Sequence, residues 1–163
     1  IGIDPYYLAH KAKMNGVATD LILSARAINE SFVNFLVKQI FKVTSSLKVP
    51  ITDLNILVMG ITFKPDVSDI RNSKVLDLIT ELNIYGFPVE ISEPHLNYEF
   101  ENNFGIRKII PIDELDLNKY HLIIYAVNHR VFSAVKKELG QINTEKTKIL
   151  DLTGKLEKFS WRL

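Results

Sequence analysis

Two nearly continuous apolar segments constrain the fold of this chain most strongly. They cover residues 54–59 (LNILVM) and 122–127 (LIIYAV), and they are followed by Gly60 and Asn128. A strand that is apolar on both faces is typical of a parallel sheet covered by helices on both sides. We therefore predict that both segments are buried strands of a parallel sheet.

The residues around these segments alternate between helix and strand patterns. A helix is predicted to begin after Asn72 or Ser73 and to end at Gly86, with its apolar residues on one face. The other regular segments are three strands and one helix, at residues 88–92, 106–110, 148–152 and 131–139. This alternation implies right-handed crossovers and a doubly wound, Rossmann-like α/β fold.

A long helix is predicted before the sheet, from about Asp20 to Leu47. Its apolar residues recur at three- and four-residue spacing, and further apolar residues form a second face. A helix that is apolar on two faces is expected to be buried on two sides. Two interpretations remain open: a core helix, or a connecting helix that also packs against a second subunit. We divide the chain into a helical connector, 1–48, and an α/β domain, 49–163.

The composition excludes several classes of protein. Lys and Arg total 20 and Asp and Glu total 19, so the net charge is +1, without the basic excess that nucleic-acid binding usually requires. No stretch reaches the ~20 apolar residues that span a membrane. There is no cysteine, which excludes disulfides and thiolate metal sites and fits a cytoplasmic protein. His10, His95 and His121 have no partner at metal-ligand spacing, so no metal site is predicted.

The polar loop after the first strand is the main candidate binding site. Only Gly60 of a GxGxxG motif is present, so a tightly wrapped dinucleotide is not predicted there. Lys64 and Arg71 precede a helix N-terminus, an arrangement that suits a phosphate. Two alternatives stay open: Lys64 is a solvated lysine, and Arg71 is a structural partner of Asp69 or Asp66.

Polar residues also follow the next strands. Glu93 ends the second strand, where a doubly wound fold binds a ribose hydroxyl, but an exposed turn acid before Pro94 is an equally good interpretation. His129 follows the second apolar segment, and we favour a helix-capping or solvated role over a ligand contact. The residues alone therefore predict an α/β domain with an anion-binding loop, and they name no substrate.

Two motifs extend this interpretation through a resemblance. Residues 2–8 (GIDPYYL) resemble the segment that directly follows the catalytic cysteine in the UDP-glucose/GDP-mannose dehydrogenase family. Residues 60–64 (GITFK) and 69–73 (DIRNS) resemble the signature of that family's C-terminal domain. The order and spacing of the motifs, with a long helix between them, match the family over essentially the whole chain.

The resemblance implies an enzyme that oxidises the C6 alcohol of a UDP-sugar to a carboxylate with NAD as cofactor. It also implies a homodimer formed through the long helix and a Rossmann-like C-terminal domain that holds the UDP-sugar. The sequence is most similar to the branch that oxidises UDP-N-acetylhexosamines for surface polysaccharides, and UDP-glucose is the other substrate considered. The family pattern puts the cysteine immediately before Ile1. We therefore expect an inactive C-terminal part without that cysteine or the NAD domain; the alternative is a stand-alone, non-catalytic nucleotide-binding or dimerisation module.

The resemblance also implies roles for particular residues. Asp4 matches an aspartate that assists the thiol or the hydrolytic water. Phe63 and Lys64 match residues of the nucleotide-sugar site. Arg71 matches an arginine that reaches NAD, and the backbone at Ile3 is implied to line the nicotinamide.

Two positions depart from the family pattern. Glu93 stands where the family usually has an aspartate at the end of the second strand. No arginine follows Asp151 in the positions where some members have one that binds the nucleotide, and Lys155 is the candidate substitute.

Overall fold

A sheet of parallel strands forms the centre of the computed structural model, which describes residues 4–96 and 103–163. In chain order the six strands of the described residues are β1 (Ile56–Met59), β2 (Val89–Ser92), β3 (Lys108–Ile109), β4 (Leu122–Tyr125), β5 (Lys148–Asp151) and β6 (Trp161–Arg162). Their spatial order is β3-β2-β1-β4-β5-β6, and every neighbouring pair is parallel. This is the Rossmann order, so the predicted fold class is confirmed.

Four α-helices accompany these strands within the described residues. They are α1 (Asp4–Met14), α2 (Asp20–Thr44), α3 (Lys74–Ile84) and α4 (Ser133–Leu139). Of the two predicted N-caps of α3, Asn72 and Ser73, the structure has Ser73, whose Oγ accepts a hydrogen bond from the N–H of Val75 at 3.3 Å. α3 ends at Ile84, and the turn that terminates it closes at Gly86, where a φ of 81° lets Phe87 N–H bond back to the carbonyl of Leu82 at 3.0 Å.

The sheet is covered on both faces because its side chains alternate. Ile56 and Val58 of β1 point into an apolar cluster shared with α2 and α3. Leu57 and Met59 point into the opposite cluster, shared with α4. All four residues are fully buried, which is why the sequence of β1 is apolar throughout.

Within the described residues, the apolar side chains of the long helix are buried mainly along its second half. Val33, Leu36 and Ile40 pack against the sheet and α3, whereas Leu21 and Ile28 are 84% and 72% exposed. The helix lies where it was predicted, but the described residues of the chain, 4–96 and 103–163, do not cover its first half on two sides. In the part of the chain that the structure describes, no helix is both long and apolar enough to cross a membrane.

Several boundaries differ from the predicted ones. β1 begins at Ile56 rather than Leu54, and β4 ends at Tyr125 rather than Val127. The strand predicted over 106–110 is regular only at Lys108–Ile109, and the helix predicted over 131–139 begins as a 3-10 turn at Arg130–Phe132. β6 was not predicted, because two residues give no alternating pattern. The division into 1–48 and 49–163 stays a prediction.

Candidate functional site

The centre of the site is the point where the strand order reverses. β1 lies between β2 and β4, and its last residue, Met59, is in register with Tyr125 at the end of β4. A Cβ on Gly60 would lie 2.5 Å from the Cβ of Val127, and the φ of Gly60 is 82°. Glycine is therefore what allows the loops after β1 and β4 to meet at this switch point, where open α/β sheets bind ligands.

The loop after β1 directs two adjacent side chains into solvent. Phe63 is 42% exposed, and the Nζ of Lys64 lies 5.3 Å from the centroid of its ring. The N–H of Phe63 donates to the carbonyl of Asp69 at 2.7 Å, which closes the loop behind these side chains. The structure thus places the ammonium group of Lys64 over the ring of Phe63 at the carboxyl edge of the sheet.

Beneath this loop, Glu93 is a buried carboxylate at the end of β2. Its Oε2 accepts hydrogen bonds from the N–H of Ile61 at 2.7 Å and from Nε2 of His129 at 3.1 Å, and its Oε1 accepts the N–H of His95 at 2.8 Å. Burial by itself would raise the pKa of Glu93, but these three hydrogen bonds outweigh burial and lower the pKa below its ordinary value.

The expectation that Glu93 is an exposed turn acid is wrong, because the residue is only 7% exposed. The ribose interpretation is not favoured either, since both carboxylate oxygens already accept hydrogen bonds from the protein.

His129 is buried against the same carboxylate. Its Nδ1 accepts the N–H of Asp66 at 2.9 Å, so Nδ1 carries no proton in this arrangement. Nε2 then carries the proton and lies 3.1 Å from Glu93 and 3.2 Å from the Oγ1 of Thr62. His129 occupies the N-cap position of the 3-10 turn at Arg130–Phe132, as the capping expectation held, but its side chain makes no capping hydrogen bond. The expectation of a solvated side chain is wrong, because the residue is 1% exposed and both ring nitrogens have protein partners.

Asp66 connects this buried cluster to the loop after β4. Its Oδ1 accepts the N–H of Arg130 at 2.9 Å and its Oδ2 accepts Nε of Arg130 at 2.8 Å, and these contacts lower the pKa of Asp66. One ligand-type atom each of Asp66, His95 and His129 lie within 4.8 Å of one another. Because the single lone pair of His129 Nδ1 already accepts the N–H of Asp66, a metal bound at that nitrogen would have to displace this hydrogen bond.

Arg71 is held by a neighbour in the same loop. Its Nε and Nη2 donate to the two carboxylate oxygens of Asp69 at 2.9 and 2.8 Å, and its N–H donates to Oδ1 at 2.9 Å. The side-chain and backbone hydrogen bonds from Arg71 lower the pKa of Asp69 to about 2. The structure therefore pairs Arg71 with Asp69, as one alternative held, while its contact with NAD stays a prediction. The side chain is 84% exposed.

Asp4 lies away from this loop, at the first residue of α1. It is exposed and lines a largely apolar groove of about 520 Å³ between α1 and α2. Ile3, the other residue predicted from the same motif, lies outside the described residues. The structure does not bring Asp4 into contact with Phe63 or Lys64, and its role stays a prediction.

A series of charged contacts links α1 to the helix that follows the loop. The guanidinium of Arg26 lies 4.5 Å from the centroid of the Tyr6 ring, and its Nη2 lies 2.8 Å from Glu30. Glu30 also pairs with Lys74, the first residue of α3. These contacts connect α1, which carries Asp4, with the start of α3, which follows the loop that contains Arg71.

Asp151, at the end of β5, has its carboxylate oxygens hydrogen-bonded to protein groups. Asp151 is fully buried, and its oxygens accept the N–H groups of Thr153, Gly154 and Leu156. Nε of Arg162, on β6, donates to it at 3.1 Å. Burial raises the pKa of Asp151, but these donors outweigh burial and lower it. Lys155 is exposed in the same loop, and its contact with a nucleotide stays a prediction.

The sequence interpretation missed that Glu93, His129 and Asp66 form one connected cluster. The signal was present: each follows the carboxyl end of one of the central strands β1, β2 and β4, and such ends lie at one edge of a parallel sheet. Considered singly, each residue had an ordinary surface interpretation.

Comparison with known sequences identifies a family and several relatives of this chain. The sequence pattern of the UDP-glucose/GDP-mannose dehydrogenase family, UDP binding domain, matches residues 57–158. UDP-N-acetyl-D-glucosamine 6-dehydrogenase of Salmonella typhi is 34% identical over 139 residues, which are 85% of this chain and 32% of that protein. The protein of the same name from Pseudomonas aeruginosa is 34% identical over 147 residues, 90% of this chain and 33% of that one. The chain thus spans about a third of the length of the curated relatives it matches.

Solved structures share the fold. UDP-D-ManNAc dehydrogenase of Pyrococcus horikoshii superposes with a TM-score of 0.70 at 22% identity, over 98% of this chain and 36% of that chain. A ternary complex of GDP-mannose dehydrogenase from Pseudomonas aeruginosa superposes with a TM-score of 0.71 at 17% identity, over 95% and 35% of the two chains. At these identities the similarity is evidence for the fold alone.

Proposed function

This chain belongs to the UDP-glucose/GDP-mannose dehydrogenase family, and from that premise we propose that it is the substrate-holding part of an NAD-dependent UDP-sugar 6-dehydrogenase. The reaction oxidises the C6 alcohol of the sugar to a carboxylate, and the product supplies polysaccharide biosynthesis. We propose a UDP-N-acetylhexosamine as substrate, in line with the names of the relatives, and UDP-glucose as the second choice. Catalysis is assigned to the longer protein, in the cytoplasm, and nucleotide binding to this chain.

The pair Phe63 and Lys64 is the observation that supports this proposal most directly. An exposed aromatic ring offers a face on which a nucleobase stacks. A neighbouring ammonium group offers a positive charge for a phosphate. Both lie at the switch point, on a loop whose two ends are held by the protein. Together they fit the base and diphosphate of UDP.

The oxidation also needs NAD, which accepts hydride from the sugar. The loop after β1 has only one glycine of the dinucleotide-binding motif, so it does not fit the pyrophosphate of NAD in the manner of that motif. Arg71 is the residue proposed to reach the cofactor, and its exposure permits this after it leaves Asp69. The backbone at Ile3 is proposed to line the nicotinamide, and Asp4 is proposed to assist the thiol or the hydrolytic water.

Calorimetric titration of the chain with UDP tests the nucleotide site. We expect Lys64→Ala to weaken UDP binding by about 1–3 kcal/mol if the ammonium makes a charge-assisted contact. Lys146→Ala is the matched control, because Lys146 is also exposed but precedes β5 at the opposite, amino edge of the sheet. Absence of UDP binding by the unchanged chain, or equal affinity of the two variants, contradicts the proposed site.

We further propose a homodimer formed through α2. Leu21 and Ile28 expose apolar side chains along its first half, and such surface favours burial against a second copy. Phe35, on the same helix, has its ring centroid 6.1 Å from that of Trp161, so a change there also disturbs the chain's own packing. Ile28→Glu is therefore the sharper test: we expect a monomer by sedimentation, and Lys42→Glu on the exposed polar side should leave the dimer intact. A dimer that persists in Ile28→Glu excludes this interface.

The alternative is a stand-alone UDP-binding or dimerisation module without catalysis. It predicts UDP binding and association without any NAD reduction by the full-length protein, whichever UDP-sugar is supplied. NAD reduction with one of UDP-glucose, UDP-N-acetylglucosamine, UDP-N-acetylgalactosamine or UDP-N-acetylmannosamine excludes the alternative and names the substrate. Asp4→Asn should then lower kcat far more than it changes KM for the sugar nucleotide.

A further inference from the structure

We propose that Glu93, His129 and Asp66 are positioning residues that hold the loop of residues 61–66 in the shape that presents Phe63 and Lys64 to the nucleotide. The proposal deepens the proposed function and rests on it. None of the three touches the nucleotide in this scheme. They act through the backbone of the loop, which we call the 61–66 loop.

The first end of the 61–66 loop is held by Glu93. The N–H of Ile61 donates to its Oε2 at 2.7 Å, and the same carboxylate accepts the N–H of His95 at 2.8 Å through Oε1. Because Glu93 lies at the end of β2, the start of the loop is tied to the neighbouring strand. A buried carboxylate with two backbone donors is a rigid attachment point.

The second end of the 61–66 loop is held by His129. The N–H of Asp66 donates to its Nδ1 at 2.9 Å, and Nε2 of the same ring lies 3.1 Å from Oε2 of Glu93. One imidazole therefore links the two ends of the loop: it accepts at one ring nitrogen and donates at the other. Between the ends, the Oγ1 of Thr62 donates to the carbonyl of Lys64 at 2.9 Å.

The backbone of the loop requires this support. Asp66 has a φ of 60°, in the left-handed region that a residue with a Cβ adopts only when its surroundings compensate for the strain. Its compensation comes from outside the loop, through His129 on its N–H and through Arg130 on its carboxylate. Without these contacts the loop would sample other conformations, and ordering it on binding would reduce the affinity for UDP.

Two substitutions separate the two functions of the imidazole. His129→Asn retains an acceptor near the position of Nδ1 and loses the donor to Glu93. His129→Gln retains a donor near the position of Nε2 and loses the acceptor for Asp66. We expect each to weaken UDP binding about tenfold, the effect of losing one buried hydrogen bond that orders the site. Only His129→Gln should accelerate hydrogen exchange at the Asp66 amide.

His121→Gln is the matched control. Nδ1 of His121 also accepts a backbone N–H, from Asn55 at 2.9 Å, but at the amino edge of the sheet. It therefore loses the same type of hydrogen bond, and we expect UDP affinity within about twofold of the unchanged chain. If His129→Gln and His121→Gln have the same UDP affinity, the positioning role is refuted, whatever their thermal stabilities.

Two readouts need no nucleotide and so separate failure of this proposal from failure of the proposed function. Imidazole ¹⁵N shifts should report the Nε2–H tautomer for His129, and the Asp66 amide should exchange slowly. If the unchanged chain does not bind UDP but shows both signals, the proposed nucleotide site is wrong, while the proposal that His129 holds the 61–66 loop is supported. If the tautomer is Nδ1–H, His129 cannot accept the N–H of Asp66, and the positioning role is refuted. Should both His129 variants unfold, Asp66→Ala, at a partly exposed loop position, should still bind UDP several-fold more weakly, and unchanged affinity would overturn the proposal.

Discussion

The close approach of Gly60 and Val127 leads to a prediction whose magnitude follows from the structure. Gly60→Ala adds a methyl group at a residue whose φ is 82°. A residue with a Cβ in this region costs about 1–2 kcal/mol. The new Cβ would also lie 2.5 Å from Val127 Cβ and 3.0 Å from its carbonyl oxygen. Relief of that overlap costs typically about 1–3 kcal/mol, so we expect a total destabilisation of about 2–5 kcal/mol.

Gly86→Ala separates the two contributions. Gly86 has a φ of 81°, almost the same as that of Gly60, but a Cβ there would have no atom within 4 Å. Its substitution should therefore cost only the conformational part, about 1–2 kcal/mol. The difference between the two variants then measures the steric part alone, about 1–3 kcal/mol.

Urea unfolding at 25 °C measures both free energies, provided that the slope m is the same for the variants. Equal destabilisation of Gly60→Ala and Gly86→Ala would refute the argument that steric contact between the loops after β1 and β4 excludes a side chain at residue 60. UDP affinity gives a second comparison: Gly60→Ala should weaken it because the switch point moves, whereas Gly86→Ala, at the end of α3, should not.

Three further predictions concern stability. Asp151→Asn should destabilise the chain by about 2–4 kcal/mol in urea unfolding, because the N–H of Leu156 and Nε of Arg162 lose a shared carboxylate oxygen. Because folding lowers the pKa of Asp151, its contribution to the free energy of unfolding is fully present above the unfolded pKa of about 3.9 and is lost as the pH falls through the lower folded pKa. The urea midpoint should therefore fall with decreasing pH in this range, and it should fall less in Asp151→Asn. Lys74→Met, which breaks the partly exposed pair with Glu30, should change stability by less than about 1 kcal/mol in the same assay, and a larger loss would contradict the weak screened interaction expected there.

The central strands could be predicted from the sequence because burial on both faces requires an apolar side chain at every position. A strand buried on both faces must be apolar throughout, and the strands at Ile56–Met59 and Leu122–Tyr125 both satisfy this. The start and end of α3 were equally readable, since Ser73 and Gly86 have local roles in capping. β6 was not readable, because its two residues are ordered by pairing with β5 rather than by any local pattern.

The candidate site was only partly predictable for a related reason. Phe63 and Lys64 are adjacent in the chain, so one motif identifies them together. Glu93 and His129 are 36 residues apart and meet only when β2 and β4 flank β1. A single polar residue after a strand is compatible with a turn, a cap or a ligand, and the choice depends on which strand end becomes its neighbour.

By itself, the sequence therefore determined the α/β class, the long helix and the motif that leads to the family. These features follow from local patterns of apolar, capping and glycine residues, whose physical effect does not depend on a residue that is distant in the chain. Only the tertiary structure decided that Glu93 and His129 are buried partners and that Arg71 pairs with Asp69. It also decided that Leu21 and Ile28 of α2 are exposed among the described residues. Burial and hydrogen-bond pairing depend on strand order, and parallel strand order is established by crossovers between distant segments.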